Sequence, residues 1–207
     1  MTRTLAERPV SAFDSRIVST LRTVTTVRLP TLALIVAVGA IAAAAPRADA
    51  QNVRVRIGII GHDGPVAVDS LATSVTIAAP RAVVFHQAAQ VFAELKVQID
   101  ARDSVRGMVG VPSTPKMRQF AGRSISRWLN CGSGITGLNA DNWRVYITAY
   151  AFVDAVDSAS TTLRLAMVGG AQDVQGASTD PVACGSTGGF ETMFADRVKS
   201  RIAQGLP

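Results

Sequence analysis

The sequence predicts an α+β domain: a two-layer sandwich in which an antiparallel sheet of about five or six strands carries two main helices on one face, with one disulfide. Three observations point to it. Apolar and polar residues alternate, with the two-residue period of a strand, from Leu71 to Ala78 and from Asn142 to Asp154. Two stretches carry the 3.6-residue period, one from Pro80 to Leu95 and one after Gly188, and each has an apolar stripe that needs a sheet to cover it. The two cysteines, Cys131 and Cys184, are each followed by Gly-Ser, and the segments between them are mostly strand-like.

Residues 1–50 read as a targeting segment outside the fold. Arg16, Arg22 and Arg28 precede an apolar run from Leu32 to Ala45, and Ala48-Asp49-Ala50 offers small residues at the two positions a signal peptidase reads. Cleavage is expected after Ala50. The run falls short of the ~20 residues of a spanning helix, and an uncleaved inner-membrane anchor is the alternative. No cysteine follows the cleavage point, which argues against lipid attachment. Loss of this segment removes Arg3, Arg8, Arg16, Arg22, Arg28 and Arg47 together with Glu7, Asp14 and Asp49, so the formal net charge falls from +6 to +3. The high pI is therefore partly a property of the leader, and no nucleic-acid partner is expected of the exported protein. Export also makes an isolated cysteine pair a bridge, since no Cys-x-x-Cys motif and no nearby histidine signals a redox or metal site.

After the leader, residues 51–69 read as an N-terminal strand or arm, with Val53, Val55 and Ile57 alternating before a turn at Gly61-His62-Asp63-Gly64-Pro65. The single α+β domain is expected over residues 70–207. It opens with a core strand carrying Leu71, Val75 and Ile77 on one face. Pro80 suits a first helical turn, where its missing N–H is not needed, and Val84, Phe85, Ala88, Val91, Phe92 and Leu95 form the helix's apolar stripe. Short strands follow at Val97 to Ile99 and Val105 to Val111, and Pro112-Ser113-Thr114-Pro115 is expected to break the chain. Residues 116–129 fit helix and strand equally, with Gly122 opposing a continuous helix. In the strand from Asn142 to Asp154, Val145, Ile147, Ala149, Ala151 and Val153 face the core, and Tyr146, Tyr150 and Phe152 face the other way. Thr161 to Met167 returns as its partner, Gly169 to Asp180 is loop-like, and Pro181 to Cys184 is a last short strand. The closing helix buries Phe190, Phe194, Val198 and Ile202 and leaves Glu191, Asp196, Lys199 and Arg201 in water.

Four features carry candidate chemistry. Cys184-Gly185-Ser186-Thr187-Gly188 is one residue from the Gly-x-Ser-x-Gly nucleophile elbow, but the only histidines after the leader, His62 and His86, both precede Ser186, so no catalytic residue is assigned. The same glycine turn at a helix start could face an anion, although no Lys-Ser/Thr follows it as in a nucleotide loop. Arg102, Arg106, Lys116, Arg118, Arg123 and Arg127 form the most basic stretch and are a candidate patch for an anionic partner, whether envelope protein, lipid or cell-wall polymer. Tyr146, Tyr150 and Phe152 make an aromatic face that could line a ligand groove. The carboxylates and histidines are too scattered for a metal site, and no cofactor is expected.

From Leu71 to Pro207 the order of strand, helix, strands and long C-terminal helix resembles helix-grip domains, including those of bacterial outer-membrane assembly lipoproteins. The resemblance implies a groove between the Tyr146, Tyr150, Phe152 face and a helix, and it carries over no functional residue. The chain departs from those lipoproteins in lacking a lipidation cysteine and in having Cys131 and Cys184. The resulting expectation is a periplasmic or envelope-associated binding or scaffolding domain. A carrier of a small apolar or lipid ligand is the alternative, and a hydrolase using Ser186 is a remote one.

Overall fold

Export would place the two thiols where they oxidise, and the pair is indeed closed: Cys131 and Cys184 form a disulfide. The computed structural model describes residues 54–176 and 178–206. The expected leader, its cleavage after Ala50 and residues 51–53 of the arm lie outside the described residues.

The chain opens with a hairpin, β1 (Arg56–Gly58) on β2 (Pro65–Ala67), followed by a 3₁₀ turn and β3 (Thr73–Ile77). Helix α1 (Arg81–Glu94) comes next, with Pro80 at its N-cap. The short β4 (Ala101–Asp103) then turns into β5 (Met108–Met117). A small hairpin, β6 (Gln119–Phe120) and β7 (Arg123–Ser124), leads through a 3₁₀ turn at Ile125–Arg127 to β8 (Leu129–Asn130). A second small hairpin, β9 (Ser133–Gly134) and β10 (Gly137–Leu138), leads to the one-turn helix α2 (Asn139–Asn142). The long strands β11 (Arg144–Ala155) and β12 (Thr161–Gln172), then β13 (Val182–Ser186) and α3 (Gly189–Ala203), complete the order.

One antiparallel sheet of seven strands organises the fold, in the order β4-β5-β11-β12-β13-β8 with β3 also on β12. β11 and β12 pair along their whole length, from Ala155 opposite Thr161 to Arg144 opposite Gln172. The other edge of β12 is shared by two half-strands: β3 pairs with Thr161 to Leu165, and β13 with Gly169 to Ala171. Between them, among the described residues, the Met167 N–H meets no strand, and it donates instead to Glu191 Oε1 of α3 at 3.1 Å. The main core joins Val145, Ile147, Ala149, Ala151 and Val153 of β11 to the apolar stripes of α1 and α3. There Phe92 and Phe194 meet with ring centroids 4.7 Å apart.

The opposite face of β11 has a core of its own. Tyr150 and Phe152 pack with Val68, Ala166 and Val168, and the N-terminal arm covers them with Val55, Ile57 and Ile59. The arm is tied down by polar contacts as well. Val55 N–H donates to Asp69 Oδ1 at 3.1 Å, and Arg164, ion-paired to Asp154 at 2.7 Å, also reaches the Asp69 carbonyl at 3.4 Å. A Cβ on Gly170 would stand 2.3 Å from the Ile60 carbonyl oxygen, so the arm's backbone rests directly on the sheet where only glycine fits.

Several expectations are corrected. Pro112 and Pro115 do not break the chain but lie within β5, where a register shift opposite Thr148 marks a bulge. β4 pairs only as far as Gly110, so this part of β5 is an edge, the place a strand tolerates proline. The strand expected at Val97 to Ile99 begins only at Ala101, and β12 continues to Gln172 through residues read as loop. Residues 116–129, which fit helix and strand equally in sequence, hold the end of β5, the β6–β7 hairpin, a 3₁₀ turn and the start of β8. Leu71 is exposed, while Glu191, expected in water, is 4% exposed and Arg201 is mostly covered.

Candidate functional site

The segment between β5 and β8 builds one wall of a strongly charged concavity. Its local shape comes from left-handed backbone: Arg118 has φ 65°, and Ala121 and Gly122 have φ 50° and 74°, the two positive angles of a tight hairpin turn. One side chain anchors that hairpin. Phe120 is buried against Phe190 with centroids 5.8 Å apart, and its carbonyl accepts the Trp128 indole N–H at 2.9 Å. With Phe120 turned inward, its neighbour Gln119 faces outward, as strand alternation requires, and Arg123, paired opposite Phe120 at the end of the hairpin, is exposed.

The 3₁₀ turn that follows is held at two points. Ser126 N–H donates to Asp141 Oδ1 at 3.0 Å, and the Arg127 carbonyl accepts the Thr187 hydroxyl at 2.8 Å. That second bond sets the exposed Arg127 beside the first turn of α3. Two turns further along α3, Arg197 approaches Glu94 at 3.8 Å, and Arg201 pairs with the same carboxylate.

Two adjoining clefts result. One, of about 560 Å³, lies between the end of α1 and the β6–β7 hairpin and is lined by Lys96, Lys116, Arg123, Arg197 and Glu94. The other, of about 380 Å³, is lined by Arg123, Arg127 and Arg197 around Trp128 and Met193. They share Ala121, Arg123 and Arg197 and so form one trough. Among the described residues five cations surround it, and Glu94, the one carboxylate lining it, is engaged by Arg197 and Arg201. A concave wall lined by one sign of charge concentrates its field and draws counter-charge. The apolar floor of Trp128 and Met193 adds contact area for a partner's uncharged part.

The basic stretch read from the sequence divides. Lys116, Arg118, Arg123 and Arg127 lie at the cleft end of the sheet, three of them lining the trough. Arg102 and Arg106 do not join them. Arg102 pairs opposite Val109 of β5, whereas Lys116 lies seven residues along that strand, ~23 Å away at the usual rise. There Arg106 is bound to Asp103 at 3.6 Å, and the Arg102 guanidinium lies 5.6 Å from the Phe85 ring. The sequence reading missed Lys96 and Arg197. Their signal was the (i, i+4) pair Arg197 and Arg201 on a helix that packs beside the end of α1.

The aromatic face lies on the side of the sheet away from α1 and α3. Tyr150 and Phe152 stack with centroids 5.8 Å apart, and both are buried beneath the arm; Tyr146, opposite Pro115 and Gly170, is half-buried. Burial first, and the nearby Asp100 charge second, push the Tyr150 phenol above the ordinary tyrosine range.

Ser186 serves the start of α3. Its hydroxyl donates to Glu191 Oε2 at 2.8 Å and accepts the Gly188 N–H at 3.0 Å. Thr187 repeats the arrangement by accepting the Gly189 N–H at 3.3 Å. Glu191 thus bridges helix start and sheet gap, a longer-range form of the capping box. His86 is exposed on α1, and the exposed His62 ring lies 3.3 Å from the Gly64 carbonyl; among the described residues neither bonds to Ser186. The disulfide stiffens the same region, because Asn130, next to Cys131, pairs with Gly185, next to Cys184.

No protein-family model matches the sequence, and no curated protein does. Among the described residues no helix is long and apolar enough to cross a membrane.

Proposed function

We propose that the protein is an exported, periplasmic or cell-envelope binding domain that seats an anionic partner in the trough between the β6–β7 hairpin and α3. The observation that carries this reading is the convergence of Lys96, Lys116, Arg123, Arg127 and Arg197 on one concavity whose single carboxylate is already paired. The disulfide is compatible with an oxidising compartment, where such a bond persists. In this reading the scaffold is a two-layer sandwich of the helix-grip kind, with α1 and α3 as its main helices on one face. Its rigidity presents the cations without an ordering cost at binding.

The test is titration of the purified protein with dextran sulfate, a soluble polyanion, at two ionic strengths. Binding should weaken as salt rises, in proportion to the number of contacts neutralised. The variant combining Arg123→Ala and Arg127→Ala should lose at least about tenfold in affinity, given ~1 kcal/mol or more per charged contact in a focused site. Affinity equal to that of the wild type would overturn the assignment.

A further inference from the structure

Helices α1 and α3 end in the same way but for one residue. After α3, Gln204 caps the helix and Gly205 turns left-handed at φ 62°. The Gly205 N–H donates to the Ile202 carbonyl and the Leu206 N–H to the Arg201 carbonyl, each at 3.1 Å. After α1, Leu95 caps the helix and the next two residues make the same pair of bonds: the Lys96 N–H donates to the Ala93 carbonyl and the Val97 N–H to the Phe92 carbonyl, each at 2.9 Å. The turning residue is again left-handed, at φ 56°, but it is a lysine. Glycine is the usual residue at this point of a helix end, because a side chain there crowds the backbone that follows it.

The fold makes no visible use of that side chain. Val97 and Phe92, which bracket the turn, are buried in the main core, whereas Lys96 is exposed and forms no ion pair among the described residues. What separates the two helix ends is the trough: Lys96 lines its larger cleft, and Gly205 does not. The same bias holds for the other left-handed positions. Among the described residues, the non-glycines with positive φ are Lys96, Arg118 and Ala121. Lys96 and Ala121 line the trough, and Arg118 immediately precedes Gln119, which also lines it. Ordinary residues held in left-handed backbone gather where function keeps them there.

We infer that Lys96 contacts the anionic partner of the trough while occupying a position the helix end would fill with glycine, so that partner affinity and fold stability oppose each other at this one residue; it rests on the reading that the trough binds anions. A competing account is the helix dipole. A cation suits the negative end of a helix, and α1 has no basic residue in its last turn. The two accounts predict opposite signs for stability. If Lys96 serves the helix end, removing it weakens the fold; if it serves the trough, glycine relieves the left-handed turn and strengthens the fold.

The experiment measures the melting temperature and the dextran sulfate affinity of the purified wild type and two variants at one low ionic strength. Lys96→Gly should melt about 2–4 °C above the wild type and bind at least about threefold more weakly. Lys96→Gln keeps a left-handed side chain and loses only the charge, so it should lose the same affinity and melt no higher than the wild type. That pair of variants separates the backbone effect from the charge. A Lys96→Gly variant that melts at or below the wild-type temperature overturns the inference and assigns the lysine to the helix end. Two variants that both bind as the wild type does also overturn it, and they leave the trough reading to Arg123 and Arg127. A wild type that does not bind dextran sulfate removes both.

Discussion

Glu191 is the side chain whose replacement should cost the fold most for its size. Its two oxygens accept the Met167 N–H at 3.1 Å and the Ser186 hydroxyl at 2.8 Å, and it is 4% exposed. Glu191→Ala leaves the Met167 N–H facing a gap between β3 and β13 that no strand fills. A bare buried donor costs ~1–3 kcal/mol, and loss of the charged hydrogen bond to Ser186 adds roughly 1.5 kcal/mol. The combined expectation is about 3–4 kcal/mol, or a fall in Tm of about 6–12 °C for a domain of this size. Glu191→Gln keeps an oxygen for Met167, but its NH₂ can only donate to Ser186 Oγ, which deprives the Ser186 O–H of its acceptor as the charge is lost, so it should cost about 1–2 kcal/mol, less than alanine. The assay is urea unfolding of the oxidised protein, comparing midpoints at unchanged slope. Either of two results would refute the reasoning: an alanine variant within 1 kcal/mol of the wild type, or a glutamine variant as damaged as the alanine one.

Two further predictions address the arm and the bridge. In Gly170→Ala the new methyl would lie 2.3 Å from the Ile60 carbonyl oxygen, so the arm must lift. Hydrogen exchange should then speed up at Val55 and Val68, whose amides bond within the arm, and stay unchanged along α1; equal protection in both proteins would contradict this seating. Replacing both cysteines by serine removes a cross-link between positions 53 apart. It should cost ~4 kcal/mol in the chain-entropy account, and a chemical-unfolding difference below ~1 kcal/mol would show that the reduced chain is already constrained there.

The long strands and the helices α1 and α3 were legible because each carries its own period and is buried on one side. Val145 to Val153 alternate against helices, and Val84 to Leu95 repeat at helical spacing against a sheet. What the sequence hid depends on partners remote in the chain. Pro112 and Pro115 look like breakers unless β4 is known to stop at Gly110, and Glu191 looks like a surface charge unless the gap beside Met167 is known. Val55, Ile57 and Ile59 alternate as a half-buried strand does, but nothing local says that Tyr150 and Phe152 lie beneath them. The basic residues were grouped by nearness in sequence. The length of β5 then carries Arg102 and Arg106 to one end and Lys116 to the other.

The shared edge of β12 governs the order in which the molecule can be completed. Thr73–Ile77 and Val182–Ser186 come from nearly opposite ends of the described residues, yet they lie along one strand, and the carboxylate that seals the seam belongs to α3. Contacts between such distant positions demand that a long loop be closed before any of them repays the effort, which slows folding. A ribosome delivering this chain from its N-terminus therefore releases a sheet with an open flank. That flank stays unsealed until α3 has emerged.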